Sequence, residues 1–367
     1  MAGAVLIRPD TDFIRNVIAS GGGDLKKCYQ CGTCSVTCEL ASEDSPFPRS
    51  QMIKAQWGLS DALAADPAIW LCHNCGQCTT RCPRGARPGD VLGAIRSQVI
   101  RRFSFPGFMG GLTASPKGWP LLFLLPFLIF AVMVWQAPPL PANGPYEFAQ
   151  IFPIPVMEAL FFAVSGFALL AFAVSLARFM RALHTAGAGG GIAHGLLPAL
   201  GEIATHERFG KCEDKNWRIG HLLTMWGFLG LTLVGVIAGI GSMTGTLRTP
   251  MAEYNPIKIF ANVTAVVALV GVLIVLGRRI GDPARRRNSV YFDWFFIMTL
   301  AGVVITGLLA QVLRLFETQV MYAVYFVHLV LVFGLLLYAP YSKFAHLAYR
   351  TVAVAASMKS ETNRRTA

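Results

Sequence analysis

The chain has 367 residues, of which 54% are hydrophobic and 14% are charged, and its mean hydropathy is +0.51. Soluble globular proteins carry about 25% charged residues, so this composition excludes a fully water-soluble chain. Lys and Arg outnumber Asp and Glu by 32 to 20, but these cations cluster at the ends of apolar runs and no nucleic-acid-binding motif accompanies them. The composition therefore predicts a protein in contact with membrane lipid and excludes nucleic acid as a partner.

Eight of the nine cysteines lie near the N-terminal end, in two runs of identical spacing, C-x2-C-x2-C-x3-C. The runs are CYQCGTCSVTC at residues 28–38 and CHNCGQCTTRCP at residues 72–83. This spacing is typical of ferredoxin-type modules with two [4Fe–4S] clusters, in which the fourth cysteine of each run ligates the other cluster. It predicts two sets of ligands. The first quartet is Cys28, Cys31, Cys34 and Cys82, and the second quartet is Cys72, Cys75, Cys78 and Cys38.

Zinc and disulfide bonds are the alternatives for these cysteines. Zinc sites more often use separate C-x2-C pairs than three consecutive ligands with a closing Cys-Pro. Disulfides form in oxidising compartments, and the N-terminal MAGAVLIRPDTDF has an apolar run of four residues, far shorter than a signal-peptide core. We therefore expect two iron–sulfur clusters on the cytoplasmic side.

The segments beside the cysteine runs are predicted to be helical. One helix is expected around residues 48–57, and an amphipathic helix is expected to start near Pro88, after the second run. The apolar face of this second helix consists of Val91, Leu92, Ile95 and Val99. The iron–sulfur domain is thus predicted to cover residues 1–104, and a Gly/Pro-rich linker follows over residues 105–118.

Six apolar runs follow the linker. They cover about residues 119–136, 154–180, 219–242, 257–278, 291–313 and 321–341. Each run approaches or exceeds the ~20 residues that cross ~30 Å of hydrocarbon, and the first, which is the weakest, contains Pro126. The sequence therefore predicts a six-helix transmembrane domain over residues 119–350 and a cytoplasmic tail over residues 351–367.

The loops between these runs alternate in charge. Loops 181–218 and 279–290 and the C-terminal tail are rich in Lys and Arg, whereas the three other loops hold Arg248 and Arg314 as their only cations. Cationic loops favour the cytoplasmic side of a membrane. We therefore expect a multi-pass protein of the cytoplasmic membrane, with its iron–sulfur domain and C-terminus inside.

His221 and His328 lie in predicted spans, where ionisable residues are costly and usually functional, and His346 follows the last span closely. His328 and His346 are about five helical turns apart, so one continuous helix, bent at Pro340, would present both from the same face. His221 begins its own span at the depth of His346. Since imidazole is a common axial ligand of haem iron, His221 and His346 are predicted to bind one haem b. His328 is the candidate ligand of a second haem, with no evident partner.

The alternative interpretation is that each of these histidines is a buried core residue whose ring nitrogens are hydrogen-bonded within the protein. His184, His194 and His206 lie in the loop between the second and third spans, and we expect them to be solvated or to cap helices, with His206 as the reserve ligand. Lys343 and Arg218 are candidates for contacts to haem propionates or quinone, against the simpler role of membrane anchors.

Two family resemblances arise from these motifs. The cysteine runs resemble the HdrC iron–sulfur subunit of heterodisulfide reductase. HLVLVFGLLLYAPYSKFAH resembles the last helix of the gamma, cytochrome b subunit of respiratory nitrate reductase, and NWRIGHLLTMWGF resembles that subunit's other haem helix. The second histidine of that other helix is replaced here by Leu231. A fusion of these two domain types resembles the QmoC family, the membrane subunits of quinone-interacting membrane-bound oxidoreductase complexes.

This resemblance implies QmoA- and QmoB-like flavoprotein partners and electron exchange between membrane quinone or menaquinone and adenylylsulfate reductase. The predicted fold is all-α, with a small helical ferredoxin-like 2[4Fe–4S] domain followed by a six-helix transmembrane bundle of cytochrome b type. The predicted function is an electron relay between soluble flavo-iron–sulfur subunits and the quinone pool, through two clusters and haem b. No complete active site is expected on this chain alone.

Three alternatives to this function stay open. An equivalent subunit of a heterodisulfide-reductase-like or sulfite-reductase-linked complex would have the same chemistry and a different soluble partner. An ion-translocating module would need acidic residues in its spans, where only Glu158 and Asp293 lie. A haem-free membrane anchor would dock soluble subunits without passing electrons through histidine-bound iron.

Overall fold

The computed structural model describes residues 8–115, 118–140, 145–207, 215–282 and 289–366. These residues form helices and turns without a strand among them, which confirms the predicted all-helical class. The central parts of the two cationic loops, at residues 208–214 and 283–288, lie outside the described residues.

Seven helices form the iron–sulfur domain. They are α1 Thr11–Ala19, α2 Thr33–Val36, α3 Arg49–Gln56, α4 Ser60–Ala64, α5 Ala68–Leu71, α6 Gln77–Thr80 and α7 Pro88–Phe103. The predicted helices around residues 48–57 and from Pro88 are confirmed as α3 and α7. The predicted apolar face of α7 is buried in a core with Leu25, Met52 and Leu63, because α7 packs against α1, α3 and α4.

Within the described residues beyond position 104, nine helices follow. They are α8 Gly107–Ala114, α9 Trp119–Gln136, α10 Ile154–Thr185, α11 Ile192–Thr205, α12 Lys215–Met243, α13 Pro256–Gly281, α14 Tyr291–Leu315, α15 Val320–Tyr338 and α16 Ala345–Thr366. In the part of the chain that the structure describes, five helical segments are long and apolar enough to cross a membrane, from α10, α12, α13, α14 and the α15–α16 pair. The first predicted span forms α9, a shorter apolar helix with Pro126 inside it.

Large apolar side chains cover the outer faces of these helices. Leu169, Leu233 and Val266 are each more than half exposed on α10, α12 and α13. Such a surface is unfavourable in water and suits hydrocarbon.

Helices α12 and α13 approach each other closely through small residues. A Cβ atom on Gly227 would lie 2.5 Å from the backbone nitrogen of Ala268, and one on Gly271 would lie 2.4 Å from that of Thr224. Small residues at such contacts are typical of helix pairs in membranes. This pairing fixes the position of α12, which carries His221.

The prediction of one continuous helix from His328 to His346 is wrong. Helix α15 ends at Tyr338, a 3-10 turn covers Ala339–Tyr341, and α16 begins at Ala345. Proline has no backbone N–H and its ring clashes with the preceding turn, so Pro340 weakens the helix at this point and permits the interruption. The relative direction of the two histidines therefore follows from this turn and not from helical periodicity.

Helix α16 continues well beyond residue 350, where the sequence suggested a tail. Val352, Ala353, Val354 and Ala355 are buried where α16 packs against α5 and α11. One hydrophobic core therefore spans the iron–sulfur domain and the membrane helices. It joins Trp70 and Ile95 to Phe179 and Tyr349.

Candidate functional site

The two cysteine loops have the same backbone conformation. Gln30 and Asn74 have φ values of 61° and 54°, and Gly32 and Gly76 have φ values of 86° and 87°. These left-handed residues curl the chain tightly between successive cysteines, and glycine adopts this conformation without strain. The one-turn helices α2 and α6 follow and contact each other. The repeated spacing in the sequence is thus a repeated loop in the structure.

The first quartet lies around one cavity. Cys28, Cys31, Cys34 and Cys82 all line it, so the structure brings the last cysteine of the second run to the first loop. Gln30 Nε2 donates to Cys28 Sγ at 3.4 Å, and the backbone N–H of Ala86 donates to Cys82 Sγ at 3.3 Å. Hydrogen bonds to ligand sulfurs are one way in which proteins set cluster potentials.

The second quartet is also brought together. Burial, together with the neighbouring Cys72 and Cys75, raises the pKa of the Cys38 thiol to about 11. Burial likewise raises the pKa of Cys78, with Cys72, Cys75 and Cys38 beside it. Buried thiols packed together in this way keep their protons unless a cation compensates the thiolate charge. The donor set fits iron–sulfur chemistry, in which the ligands are thiolates.

Among the described residues, no three His, Cys, Asp or Glu side chains converge on a single metal-ion position. The structure places the eight cysteines in the two predicted groups, and their ligation stays a prediction.

Arg350 connects the second cysteine loop to α16. Its Nη1 donates to the carbonyl oxygens of Trp70 at 2.7 Å and Cys72 at 3.3 Å, and its Nη2 contacts His73 Nδ1 at 3.1 Å. Trp70 stacks on Tyr349 with ring centroids 5.0 Å apart. Because Arg350 lies about one helical turn beyond His346, the cysteine loop and that histidine are held by the same segment of α16.

His221 and His346 lie side by side, with ring centroids 6.0 Å apart. His206 joins them, since its Nε2 lies 2.6 Å from Nδ1 of His221. His206 is 5% exposed and is the C-cap residue of α11. Of the two expected roles, solvated residue or helix cap, His206 has the second, whereas His184 and His194 are exposed. Sequence reasoning missed α11, whose Ile/Leu/Ala-rich amphipathic pattern follows a glycine-rich stretch.

Hydrogen bonds assign the tautomers of these three imidazoles. His206 Nδ1 lies 2.5 Å from the carbonyl oxygen of Ile203, which can only accept, so Nδ1 of His206 is the donor. Burial lowers the pKa of His206, so the ring is neutral and its Nε2 accepts from Nδ1–H of His221. Nδ1 of His346 donates to the carbonyl of Lys343 in the same way. Both His221 and His346 therefore keep an unprotonated Nε2, the form that binds metals.

A partly buried ion pair supports the turn that carries His346. Lys343 pairs with Asp293, and Arg279 Nη1 lies 3.1 Å from the other carboxylate oxygen of Asp293. Lys343 thus forms an ion pair with α14 through its side chain and accepts a hydrogen bond from His346 through its carbonyl oxygen. The other sequence candidate, Arg218, donates to the carbonyl of Thr205 at 2.9 Å.

His328 lies apart from this group, between α14 and α15. Its Nδ1 is 3.1 Å from Oγ1 of Thr306, which itself donates to the carbonyl of Gly302 at 2.6 Å, so Nδ1 of His328 is the donor. Gly307 provides the space for the ring, since a Cβ there would lie 2.9 Å from Cε1 of His328. Within the described part of the chain, no contact joins His328 to another histidine.

Two family models match the chain. Residues 24–86 match a model described as a 4Fe-4S dicluster domain, and residues 119–367 match a model described as citrate utilization protein B. The first match supports [4Fe–4S] clusters as the occupants of the cysteine loops. The second covers more than half of the chain.

Curated relatives match the N-terminal part. The C-type subunit of an H(2):CoB-CoM heterodisulfide,ferredoxin reductase from Methanothermobacter thermautotrophicus is 38% identical over 101 residues, covering 27% of this chain and 52% of the relative. The C-type iron-sulfur subunit of the CoB-CoM heterodisulfide reductase of Methanopyrus kandleri is 36% identical over 78 residues, covering 21% of this chain and 41% of the relative. The C-type subunit of the ferredoxin:CoB-CoM heterodisulfide reductase of Methanosarcina mazei is 33% identical over 99 residues, covering 27% and 58%.

The chain thus spans about half the length of the curated relatives it matches. No solved structure matches it. The resemblance of the iron–sulfur domain to HdrC subunits is confirmed, and this domain is an iron–sulfur electron-transfer module related to the C-type subunits of heterodisulfide reductases.

Proposed function

Because this chain belongs to the citrate utilization protein B family and carries a 4Fe-4S dicluster domain before the family's region, we propose that it is the membrane electron-transfer subunit of an oxidoreductase complex. It relays electrons between soluble flavo-iron–sulfur partner subunits and the quinone pool. The main support for this proposal is one segment of α16. In this segment Arg350 donates hydrogen bonds to the second cysteine loop, and His346 lies one helical turn away.

The first quartet and the second quartet each bind one [4Fe–4S] cluster in this proposal. The crossed ligands Cys38 and Cys82 tie the two loops together, so the clusters are neighbours and share one rigid scaffold. The assignment is supported by the dicluster family match and by the four cysteines around a single cavity.

His221 and His346 would hold a haem b that extends the relay towards the membrane. Haem iron supplies a one-electron redox centre when bound. The residues fit this group because both rings keep an unprotonated Nε2 and their Nδ1–H groups are committed to other acceptors. One haem is proposed at this pair, and His328 is the only candidate ligand we propose for a second.

Quinone is the proposed membrane substrate, and the cytoplasmic membrane is the proposed location. The cationic groups Arg279, Lys343 and Arg350 lie at the end of the bundle that contacts the iron–sulfur domain. At the other end, Arg314 is neutralised by Glu253 at 2.5 Å. This distribution favours the iron–sulfur domain and α16 on the cytoplasmic side.

Two soluble partners are candidates. The sequence resemblance to the QmoC family suggests QmoA- and QmoB-like flavoproteins, with adenylylsulfate reductase as the indirect partner. The family match over residues 119–367 favours a second candidate, a partner that acts in citrate utilization, as the family's description says. Both candidates need the same relay in this chain and differ in the soluble subunit.

Purification of the full chain from its native membranes tests the proposal. We expect iron, labile sulfide and haem b in the preparation, and reduction of the haem by a reduced quinol analogue. A preparation with clusters but without haem would contradict the relay and leave the haem-free anchor. Co-purifying flavoproteins, identified by mass spectrometry, distinguish the two partner candidates.

A further inference from the structure

The two cysteine quartets differ in how directly they contact α16 and the other long apolar helices. The second quartet is fastened to α16, because Arg350 binds the carbonyls of Trp70 and Cys72 and Trp70 stacks on Tyr349. The first quartet lies against the second through the contact between α2 and α6. The second quartet is therefore the inner site of the domain and the first quartet is the outer one.

The first quartet opens on a basic and aromatic surface, formed by Tyr29, Arg49 and Arg84. All three line its cavity. Tyr29 is 68% exposed, and the Arg84 guanidinium lies 4.1 Å from the centre of its ring. Arg49 lies beside the loop, with Nη1 3.8 Å from the position of a Cβ on Gly32.

These two arginines are available to a partner. Both side chains are exposed, and in the described part of the chain neither forms an ion pair with a carboxylate, whereas Arg87 nearby is engaged by Asp24 and Asp90. Tyr and Arg are also the residue types that most often dominate binding at protein interfaces. The surface therefore has the composition of a docking site and an uncompensated positive charge.

The second quartet also reaches the surface, since Cys75 is exposed, but its surroundings differ in charge. Cys38, which closes the second quartet, is followed by the exposed Glu39. Two cations beside it, Arg96 and Arg350, donate to the carbonyl of Cys72 inside the domain. Carboxylates of an acidic partner would therefore be attracted more strongly by Arg49 and Arg84 than by the surface beside Glu39.

We propose that a soluble redox protein with carboxylates around its flavin docks on Tyr29, Arg49 and Arg84 and exchanges electrons with the first quartet's cluster. One electron moves in each encounter, so the partner's reduced flavin loses one electron, the cluster gains one, and no bond forms or breaks. This inference rests on the proposed relay function and adds its point of entry and the chemistry that recognises the partner.

Stopped-flow reduction of the full-length protein tests the docking surface, with flavodoxin hydroquinone as an acidic one-electron donor. We expect the double variant Arg49→Glu/Arg84→Glu to be reduced about tenfold more slowly than the unchanged protein at low ionic strength, because charge steering changes association rates by about 10–1000-fold. The difference is expected to vanish in high salt. The neutral variant Arg49→Gln/Arg84→Gln is expected to fall between the two.

Arg101→Glu is the matched control, because Arg101 is exposed in the last turn of α7, whereas the first turn of that helix lies beside the first quartet. Methyl viologen radical, a small cation, controls for damage to the cluster and is expected to reduce the double variant at least as fast as the unchanged protein. Iron content verifies that both clusters are present in each variant.

Equal flavodoxin rates in the unchanged protein and the double variant would overturn the proposed surface. A second result would also overturn it. If flavodoxin reduces Glu39→Lys faster than the unchanged protein while the arginine variants show no change, electrons enter at the second quartet. Failure of the relay itself is recognisable separately. It would leave the arginine effect on cluster reduction intact while no haem becomes reduced in the unchanged protein.

Discussion

The replacement His206→Ala tests whether His206 positions His221. In the structure, Nε2 of His206 accepts from Nδ1–H of His221 at 2.6 Å, and this contact leaves Nε2 of His221 free of a proton. Removing the acceptor leaves a buried N–H group without its partner, which costs about 1–3 kcal/mol. That cost corresponds to about 5–150-fold in an equilibrium constant. Loss of a hydrogen-bond partner of a metal-binding histidine typically costs about 10–100-fold in affinity, which agrees with this range.

The assay is the rate of haem transfer from the purified protein to excess apomyoglobin. We expect His206→Ala to bind haem about 10–100-fold more weakly than the unchanged protein and to change its midpoint potential. His206→Gln, whose side-chain oxygen can still accept, is expected to recover much of the affinity. His194→Ala is the matched control, because His194 is exposed on the same helix, α11.

Two outcomes would refute this reasoning. If His206→Ala releases haem no faster than His194→Ala, the hydrogen bond to His221 has no role in binding. If His206→Ala loses all haem, as expected for His221→Ala, then His206 is itself a ligand and the tautomer assignment is wrong.

Three further predictions follow from the contacts of other residues. Trp70→Ala is expected to destabilise the protein by about 3–5 kcal/mol in thermal unfolding, since this side chain is 1% exposed against α16, whereas Trp57→Ala, at a site 56% exposed, is expected to have little effect. Asp293→Asn breaks a partly buried ion pair and is expected to cost about 1–3 kcal/mol, against about 0–1 kcal/mol for Glu253→Gln, whose side chain is 41% exposed against 14% for Asp293; equal costs would contradict a structural role for Asp293. Cys82→Ala is expected to remove the first quartet's cluster, so its EPR spectrum matches that of other first-quartet variants; a match to second-quartet variants would exclude crossed ligation.

Features that depend on local spacing could be predicted from the sequence. The repeated cysteine spacing predicts two equivalent loops because each loop is determined by a few successive residues, and glycine at positions 32 and 76 permits the required turn. The apolar runs predict the long helices because a helix in hydrocarbon depends on its own length and composition. The apolar face of α7 follows from its helical periodicity for the same reason.

Features that depend on contacts between distant residues could not be predicted. His206 meets His221 because α11 packs against α16, and neither the packing nor the burial of His206 is visible in a glycine-rich loop sequence. In the sequence, Arg350 is interpreted as one of the cytoplasmic cations that follow the last span. In the structure it donates hydrogen bonds to the carbonyls of Trp70 and Cys72. The interruption before His346 is a third case, because Pro340 is compatible with either a bent helix or a break and tertiary packing decides between them.

A reduced-minus-oxidised spectrum of the purified full-length chain, with iron and haem quantified per chain, tests the central claim most directly. The account predicts about 8 non-haem irons, four for each cluster, together with a b-type haem band that disappears in His221→Ala and in His346→Ala. A haem band that survives both substitutions would contradict ligation by these two histidines. Clusters without any haem band would contradict the relay as a whole.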